Sequence, residues 1–205
     1  EAHGLCYLPG EAFLKSGWAR LIKSMRFTSA FNIIGPITRP CEQTNCIVIG
    51  AYSPTVCDQL VAVLNETGMP RALAPFGMAT GRDLSEGMDE FSTCGPTRVV
   101  ELKQGKTDIY EVTPFDFGTD ETAFEKIASR HTSYENATAI LDVISGQYDT
   151  PLADFFCVNA SAALYVSGLA KDYRTGFEMA KQALAQGKAR EKLERLLEFQ
   201  GASRS

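Results

Sequence analysis

Ile47-Val48-Ile49-Gly50-Ala51-Tyr52 is a continuous apolar run, and Ser53-Pro54 closes it. A run without a polar break reads as a buried strand of the kind found in parallel sheets. Serine followed by proline reads as a helix N-cap and first helical residue. The serine oxygen satisfies an orphan N–H, and proline has no N–H to satisfy. The segment after it carries Val56, Leu60, Val63 and Leu64 on one face and stops at Gly68. Arg71-Ala72-Leu73-Ala74-Pro75-Phe76-Gly77 then reads as a second strand. Strand, helix and strand in that order imply a parallel pairing with a right-handed crossover. The expected class is α/β, with a mainly parallel sheet flanked by helices.

Residues 78–96 are glycine-rich and poor in large apolar side chains, so they read as a loop. Residues 97–103 and 107–113 alternate polar and apolar around Gln104-Gly105-Lys106, the pattern of a hairpin. Helical periodicity covers 11–28, where Phe13, Leu14, Trp18, Leu21, Ile22 and Met25 share a face. It returns in a helix opening at Tyr134-Glu135, with Ala137, Ile140, Leu141 and Ile144 expected inward and Gly146 ending it. Residues 151–170 are apolar nearly all round, which predicts a buried helix. Two amphipathic helices follow, 173–186 and 188–199, with Gly187 between them. Residues 1–200 are expected to form one domain and 201–205 a tail.

The chain has 205 residues, enough for one domain or somewhat more. Its net charge of −5 lacks the basic footprint of a nucleic-acid binder, so nucleic acid is not an expected partner. No apolar run approaches the roughly 20 residues of a membrane helix, and no signal-peptide pattern occurs. Six cysteines stand at 6, 41, 46, 57, 94 and 157 without a C-x-x-C pair, which argues against zinc and for free, mostly buried thiols. That usage fits a reducing compartment, the cytoplasm, with an organelle stroma left open. Asn65, Asn136 and Asn159 head N-x-[ST] sequons that mean little there.

Gly87-Met88-Asp89-Glu90-Phe91-Ser92-Thr93-Cys94-Gly95-Pro96-Thr97 is the segment richest in chemistry. A turn can aim two adjacent carboxylates at one magnesium ion, which takes oxygen ligands and shares its shell with phosphate and water. By spacing alone, a solvated acidic turn is the simpler reading. Arg26 and Thr28 close the first helix ahead of Gly35-Pro36 and could hold an anionic substrate, or simply complement the helix dipole. Asp116-Phe117-Gly118 matches a kinase metal motif by its letters only, since no other kinase motif accompanies it. With two histidines in the chain, a Ser-His-Asp triad is not expected.

Several motifs in order resemble one family. Phe31-Asn32-Ile33-Ile34-Gly35-Pro36-Ile37 is similar to the F-N-L-L-G-P-L segment of anthranilate phosphoribosyltransferases. Gly50-Ala51-Tyr52-Ser53-Pro54 resembles their G-V-Y-S-P turn, and Gly87 to Thr97 their G-L-D-E-x-S-x-x-G-P-T signature. Glu135-Asn136-Ala137 and Asn159 to Val166 resemble their E-N-A and N-A-A-A-A-L-Y-V helices. The resemblance runs from about residue 4 to 199 and implies the nucleoside phosphorylase and phosphoribosyltransferase catalytic fold. It implies phosphoribosyl pyrophosphate (PRPP) and an aromatic acceptor, anthranilate or an analogue, as small-molecule substrates. It implies Mg2+ at Asp89 and Glu90, and an acceptor site at Asn32, Gly35 and Pro36 with Arg26 and Thr28 beside it. A homodimer is implied for the longer protein.

The family's G-T-G-G-D diphosphate loop and K-H-G-N-R stretch are not in these 205 residues. The chain is therefore expected to be the C-terminal part of its protein, with the helical part and first strands in a missing N-terminal segment. Where the family has its acceptor-binding arginine, three residues before the Phe of F-N-L-L-G-P, this sequence has Thr28, and Arg26 stands two residues earlier. Gly77 to Gly87 also carries extra residues, Met78 to Glu86, before the acidic pair. An alternative is a non-catalytic relative that binds a ligand or nucleic acid. A nucleoside phosphorylase shares the fold but not these motifs.

Overall fold

The computed structural model describes residues 37, 43–83 and 87–199. The expected helix over 11–28, Arg26, Thr28, Asn32, Gly35, Pro36 and the 201–205 tail lie outside the described residues. Residues Asn45–Leu193 cluster as one compact unit, and Glu1–Thr44 with Glu194–Ser205 as another. The acidic loop belongs to the first.

The crossover unit is present. Strand β1 (Cys46–Val48) runs parallel to β2 (Arg71–Gly77), with Ile47 opposite Ala72. Helix α1 (Pro54–Glu66) joins them, and the Ser53 hydroxyl accepts from the Val56 N–H at 3.3 Å as its cap. β1 is shorter than the apolar run. The Ile49 N–H still donates to the Leu73 carbonyl at 2.9 Å, but Gly50 to Tyr52 leave the sheet. The run is also not buried throughout: Ile49 and Ala51 point inward, while Val48 and Tyr52 are exposed. On α1 the buried residues are Val56, Cys57, Leu60, Val61 and Leu64. That arc leaves Val63 just beyond its edge, exposed rather than inward.

β2 pairs antiparallel with β3 (Thr97–Lys103), which pairs antiparallel with β4 (Lys106–Val112). The sheet order is β1-β2-β3-β4, so the described sheet is mixed: the crossover supplies its parallel pair and the hairpin its antiparallel ones. Lys103 faces Lys106 across a two-residue turn in which Gln104 and Gly105 have φ of 51° and 80°. Positive φ at both centres is the turn whose twist matches a hairpin, and a glycine at the second makes it cheap.

Helices cover both faces. Arg98 of β3 donates to the Pro54 carbonyl and the Asp58 carboxylate of α1 on one side. On the other, Leu73 and Val99 pack into a core with α4 (Pro151–Ser167) and α5 (Tyr173–Ala185). Between β4 and α4 lie a short α2 (Pro114–Phe117), a 3-10 turn (Phe124–Lys126) and α3 (Ser133–Ser145). The chain ends its described part in α6 (Lys188–Phe199). Asp116-Phe117-Gly118 turns out to be helix punctuation. The Asp116 carboxylate accepts from the Thr113 N–H at 2.7 Å, Phe117 is buried, and Gly118 ends α2 at φ 95°.

α3 differs from its expected packing. Val143 and Ile144 are buried, but Ile140 and Leu141 are exposed, so the apolar face is covered only at its C-terminal end. Of the cysteines described, Cys57, Cys94 and Cys157 are buried and free, and Cys46 is half-buried and free. No helix among the described residues is long and apolar enough to cross a membrane.

Candidate metal and phosphate site

Asp89 and Glu90 stand on the loop that leaves the C-terminal end of β2, beside the C-terminal end of β1. In open α/β sheets that edge is where ligands bind. The loop is pinned along its length. Gly77 and Met88 exchange two backbone hydrogen bonds, each 2.9 Å. The Met78 N–H donates to the Pro96 carbonyl at 2.9 Å, and the Thr80 N–H to the Cys94 carbonyl at 2.8 Å. The Ser92 hydroxyl donates to the Met78 carbonyl at 2.7 Å and accepts from the Cys94 N–H at 2.9 Å. The Thr97 hydroxyl accepts from the Ser92 N–H at 2.9 Å.

These contacts explain the composition of the segment. A Cβ on Gly50 would overlap the Asp89 carbonyl and lie 2.8 Å from the Asp89 Cα. At Gly87 it would strike the Phe76 ring, and at Gly95 it would lie 2.9 Å from the Thr80 nitrogen. Glycine here permits close backbone approach. Ser92, Gly95 and Thr97 therefore build the loop. Asp89 and Glu90 are the side chains it leaves exposed.

Phe91 locks the next position. It is fully buried, with its ring 5.8 Å from that of Phe117 and 5.6 Å from that of Tyr173. The Tyr173 ring in turn lies 4.8 Å from that of Tyr165, tilted by 46°. The Tyr110 hydroxyl meets that of Tyr173 at 2.7 Å. The Glu101 carboxylate accepts from Tyr110 at 2.8 Å and from Tyr165 at 3.0 Å. Burial first, then the neighbouring Tyr173 and Glu101, holds the Tyr110 hydroxyl protonated far above its ordinary range. The cluster packs behind Phe91, and its Tyr110 hydroxyl stays protonated near neutral pH.

Electrostatics favour a cation at the acidic pair. Partial desolvation by the loop raises the Glu90 carboxyl above its ordinary 4.5, and the Asp89 charge adds to the rise. Glu90 is exposed as a residue, but the loop around its carboxyl still withholds part of its hydration. Two carboxylates that repel each other are relieved by a cation between them. Among the described residues no group of three or more His, Cys, Asp or Glu gathers around one point. That donor set fits magnesium, which takes one or two carboxylates and completes its shell with phosphate and water. It does not fit zinc. A cavity of about 380 Å³ opens beside the loop, lined by Thr80, Arg82, Cys94, Glu121, Phe124 and Glu125 among others, and neither Asp89 nor Glu90 lines it. Arg82 spans its rim, 3.2 Å from Glu125 and over the Phe124 ring.

Sequence reasoning overlooked Gly50 as a support of Asp89. It also overlooked Asn159, which it met only as a sequon and as part of a helix motif. The Asn159 carboxamide accepts from the Phe91 N–H at 2.9 Å and donates to the Phe91 carbonyl at 3.0 Å. Nothing in the local sequence around either residue signals a partner so far away.

The family model described as "Glycosyl transferase family, a/b domain" matches residues 8–190, which include the acidic pair. The chain belongs to that family. It is 36% identical over 177 residues to the anthranilate phosphoribosyltransferase of Desulfosudis oleivorans, covering 86% of this chain and 50% of that protein. With the anthranilate phosphoribosyltransferase of Polynucleobacter necessarius it shares 38% over 174 residues, 84% of this chain and 48% of the relative. The chain thus spans about half the length of the curated relatives it matches. Among solved structures, anthranilate phosphoribosyltransferase from Thermus thermophilus superposes with a TM-score of 0.75 at 29% identity, covering 90% of this chain and 51% of that one. The Saccharomyces cerevisiae enzyme in complex with PRPP and Mg gives 0.71 at 24% identity, covering 86% and 48%. The resemblance read from the motifs is borne out, and so is the α/β fold.

Proposed function

We propose that this chain is the C-terminal portion of a phosphoribosyltransferase. Its protein would transfer phosphoribosyl from PRPP to an aromatic acceptor, anthranilate or an analogue. The carrying observation is the pinned loop that presents Asp89 and Glu90 side by side and exposed. Asp89 and Glu90 would hold Mg2+ against the diphosphate of PRPP. The metal supplies neutralisation of the charge that develops as diphosphate leaves the ribose. The loop fixes the backbone that carries both carboxylates before substrate arrives, which limits the reorganisation left for the moment of reaction. The complex of the yeast relative with PRPP and Mg supports the choice of these two ligands. Arg26, Thr28, Asn32, Gly35 and Pro36 would line the acceptor side. The remaining phosphate-binding loop would come from the rest of the protein, residues 1–200 completing the catalytic domain ahead of the 201–205 tail. A cytoplasmic or stromal homodimer fits the family.

The test is Mg2+-dependent consumption of PRPP by the full-length protein against a panel of aromatic acids. Asp89→Asn and Glu90→Gln should each lower turnover by about 100-fold or more, the scale of losing one preorganised electrostatic group. Turnover unchanged by both substitutions, or a wild-type protein that neither turns over nor binds diphosphate, refutes the proposal.

A further inference from the structure

Asn159 lies in the middle of α4, yet three hydrogen bonds tie its carboxamide to backbone, two of them to the acidic loop. The oxygen accepts from the Phe91 N–H at 2.9 Å, and the amide nitrogen donates to the Phe91 carbonyl at 3.0 Å. The same nitrogen donates to the Phe155 carbonyl one turn earlier in α4, at 3.0 Å. An N–H facing the oxygen and two carbonyls facing the nitrogen fix which way round the amide lies. Of the short side chains, only a carboxamide offers donor and acceptor side by side, as a peptide group does. Asn159 therefore pairs with Phe91 as a neighbouring strand would.

The helix behind it is firm. Ala153, Cys157, Val158, Ser161 and Ala162 of α4 are buried, and the Ser161 hydroxyl donates to the Tyr173 carbonyl at 2.6 Å. Phe91 directly follows Glu90, and its ring is fixed separately against Phe117 and Tyr173. The peptide that carries the acidic pair is thus held by its side-chain neighbour on one side and by Asn159 on the other.

We infer that Asn159 is a positioning residue for the Asp89–Glu90 metal pair, acting through the Phe91 peptide groups. The inference rests on the proposed magnesium reading of that pair. It also removes the Asn159-Ala160-Ser161 sequon from consideration, because its carboxamide is engaged in the fold.

The test uses the full-length protein, with Mn2+ as a spectroscopic stand-in for Mg2+. Mn2+ is titrated in the presence of PRPP and followed by electron paramagnetic resonance. Amide exchange of the 87–95 segment is read alongside. Asn159→Ala should weaken Mn2+ binding about tenfold or more, the range seen when a group orienting metal ligands is removed. It should also raise exchange in 87–95. Asn159→Asp keeps the side-chain volume and the acceptor for the Phe91 N–H, and it carries the test if the alanine variant does not fold. It should also weaken Mn2+ binding, because it sets an oxygen against the Phe91 carbonyl. Lys181→Met is the control. Lys181 holds Asp154 of α4 at 3.0 Å and the Tyr148 carbonyl at 2.8 Å, so its loss should lower thermal stability and leave Mn2+ affinity unchanged. Unchanged Mn2+ affinity in the Asn159 variants overturns the inference, and so does an equal loss in Lys181→Met. A wild-type protein that binds no Mn2+ with PRPP overturns the magnesium reading itself, and this inference with it.

Discussion

Replacing Gly50 by alanine adds one methyl group where the fold has no room for it. The new Cβ would overlap the Asp89 carbonyl and lie 2.8 Å from the Asp89 Cα. Both are backbone atoms, so no flexible side-chain tip can swing away. Gly50 does not have a positive φ, so alanine brings no conformational penalty of its own. Added methylenes in packed regions cost about 1–3 kcal/mol, and contact with backbone places Gly50→Ala at about 3. For a folding unit of 205 residues, about 2–4 °C of Tm per kcal/mol makes that about 6–12 °C. Gly187→Ala separates crowding from backbone effects. It has φ 70° and no heavy atom within 4 Å of an added Cβ. Its cost is the left-handed conformation alone, about 1–2 kcal/mol. Urea denaturation gives both energies, and hydrogen exchange over 87–95 gives the location. Exchange in that segment should rise in Gly50→Ala only. A Gly50→Ala protein within about 0.5 kcal/mol of wild type, the scatter of neutral surface changes, would refute the seating of the acidic loop on Gly50.

Other outcomes follow from the same structure. Glu90 has a raised folded pKa, so the folded state holds its proton more tightly than the unfolded chain does. Its contribution to stability is present below the ordinary 4.5 and is lost as pH rises through the folded value. Glu90→Gln should therefore be at least as stable as wild type at neutral pH, with the difference closing on acidification; denaturation midpoints from pH 4 to 8 check this, and a gap that widens in acid refutes it. Glu101→Ala removes the acceptor shared by Tyr110 and Tyr165, and hydrogen bonds to a charged group are worth about 1.5–3 kcal/mol each. A loss of about 3–6 kcal/mol by urea denaturation is expected, against about 1 for Glu101→Gln, which keeps an acceptor. Burial pushes the Cys57 and Cys157 thiols up to about 11, so neither forms thiolate readily. Mass mapping after iodoacetamide at pH 8 should find both unmodified in the native protein and alkylated after denaturation.

The crossover was legible because an apolar run ended in a helix cap, two local signals that agree. The end of β1 was not, because Gly50 leaves the sheet to make way for a backbone segment 39 residues further on, as Asp89 minus Gly50 gives. Periodicity found the apolar face of α3 but could not tell what covers it, and Ile140 and Leu141 are exposed. Asp89 and Glu90 stood out through their motif. The residues that hold them did not, since Asn159 meets Phe91 across 68 positions of sequence. A side chain that pairs with backbone has no partner residue type for a pattern to reveal. Asp116-Phe117-Gly118 shows the converse, letters that suggest chemistry and serve a helix end.

The paired hydrogen bonds between Gly77 and Met88 have a consequence for how this loop can diverge. They close the stretch from Met78 to Gly87 at its neck, so Asp89 is referenced to the sheet through Met88, while Met78 and Thr80 add bonds to Pro96 and Cys94. Closing a longer stretch is inexpensive, since each doubling of its length costs only about 0.6 kcal/mol. Gly81, with no heavy atom within 4 Å of an added Cβ, is a point in that stretch where an added residue meets no packed neighbour. That makes Gly81 the place to graft an epitope or a reporter.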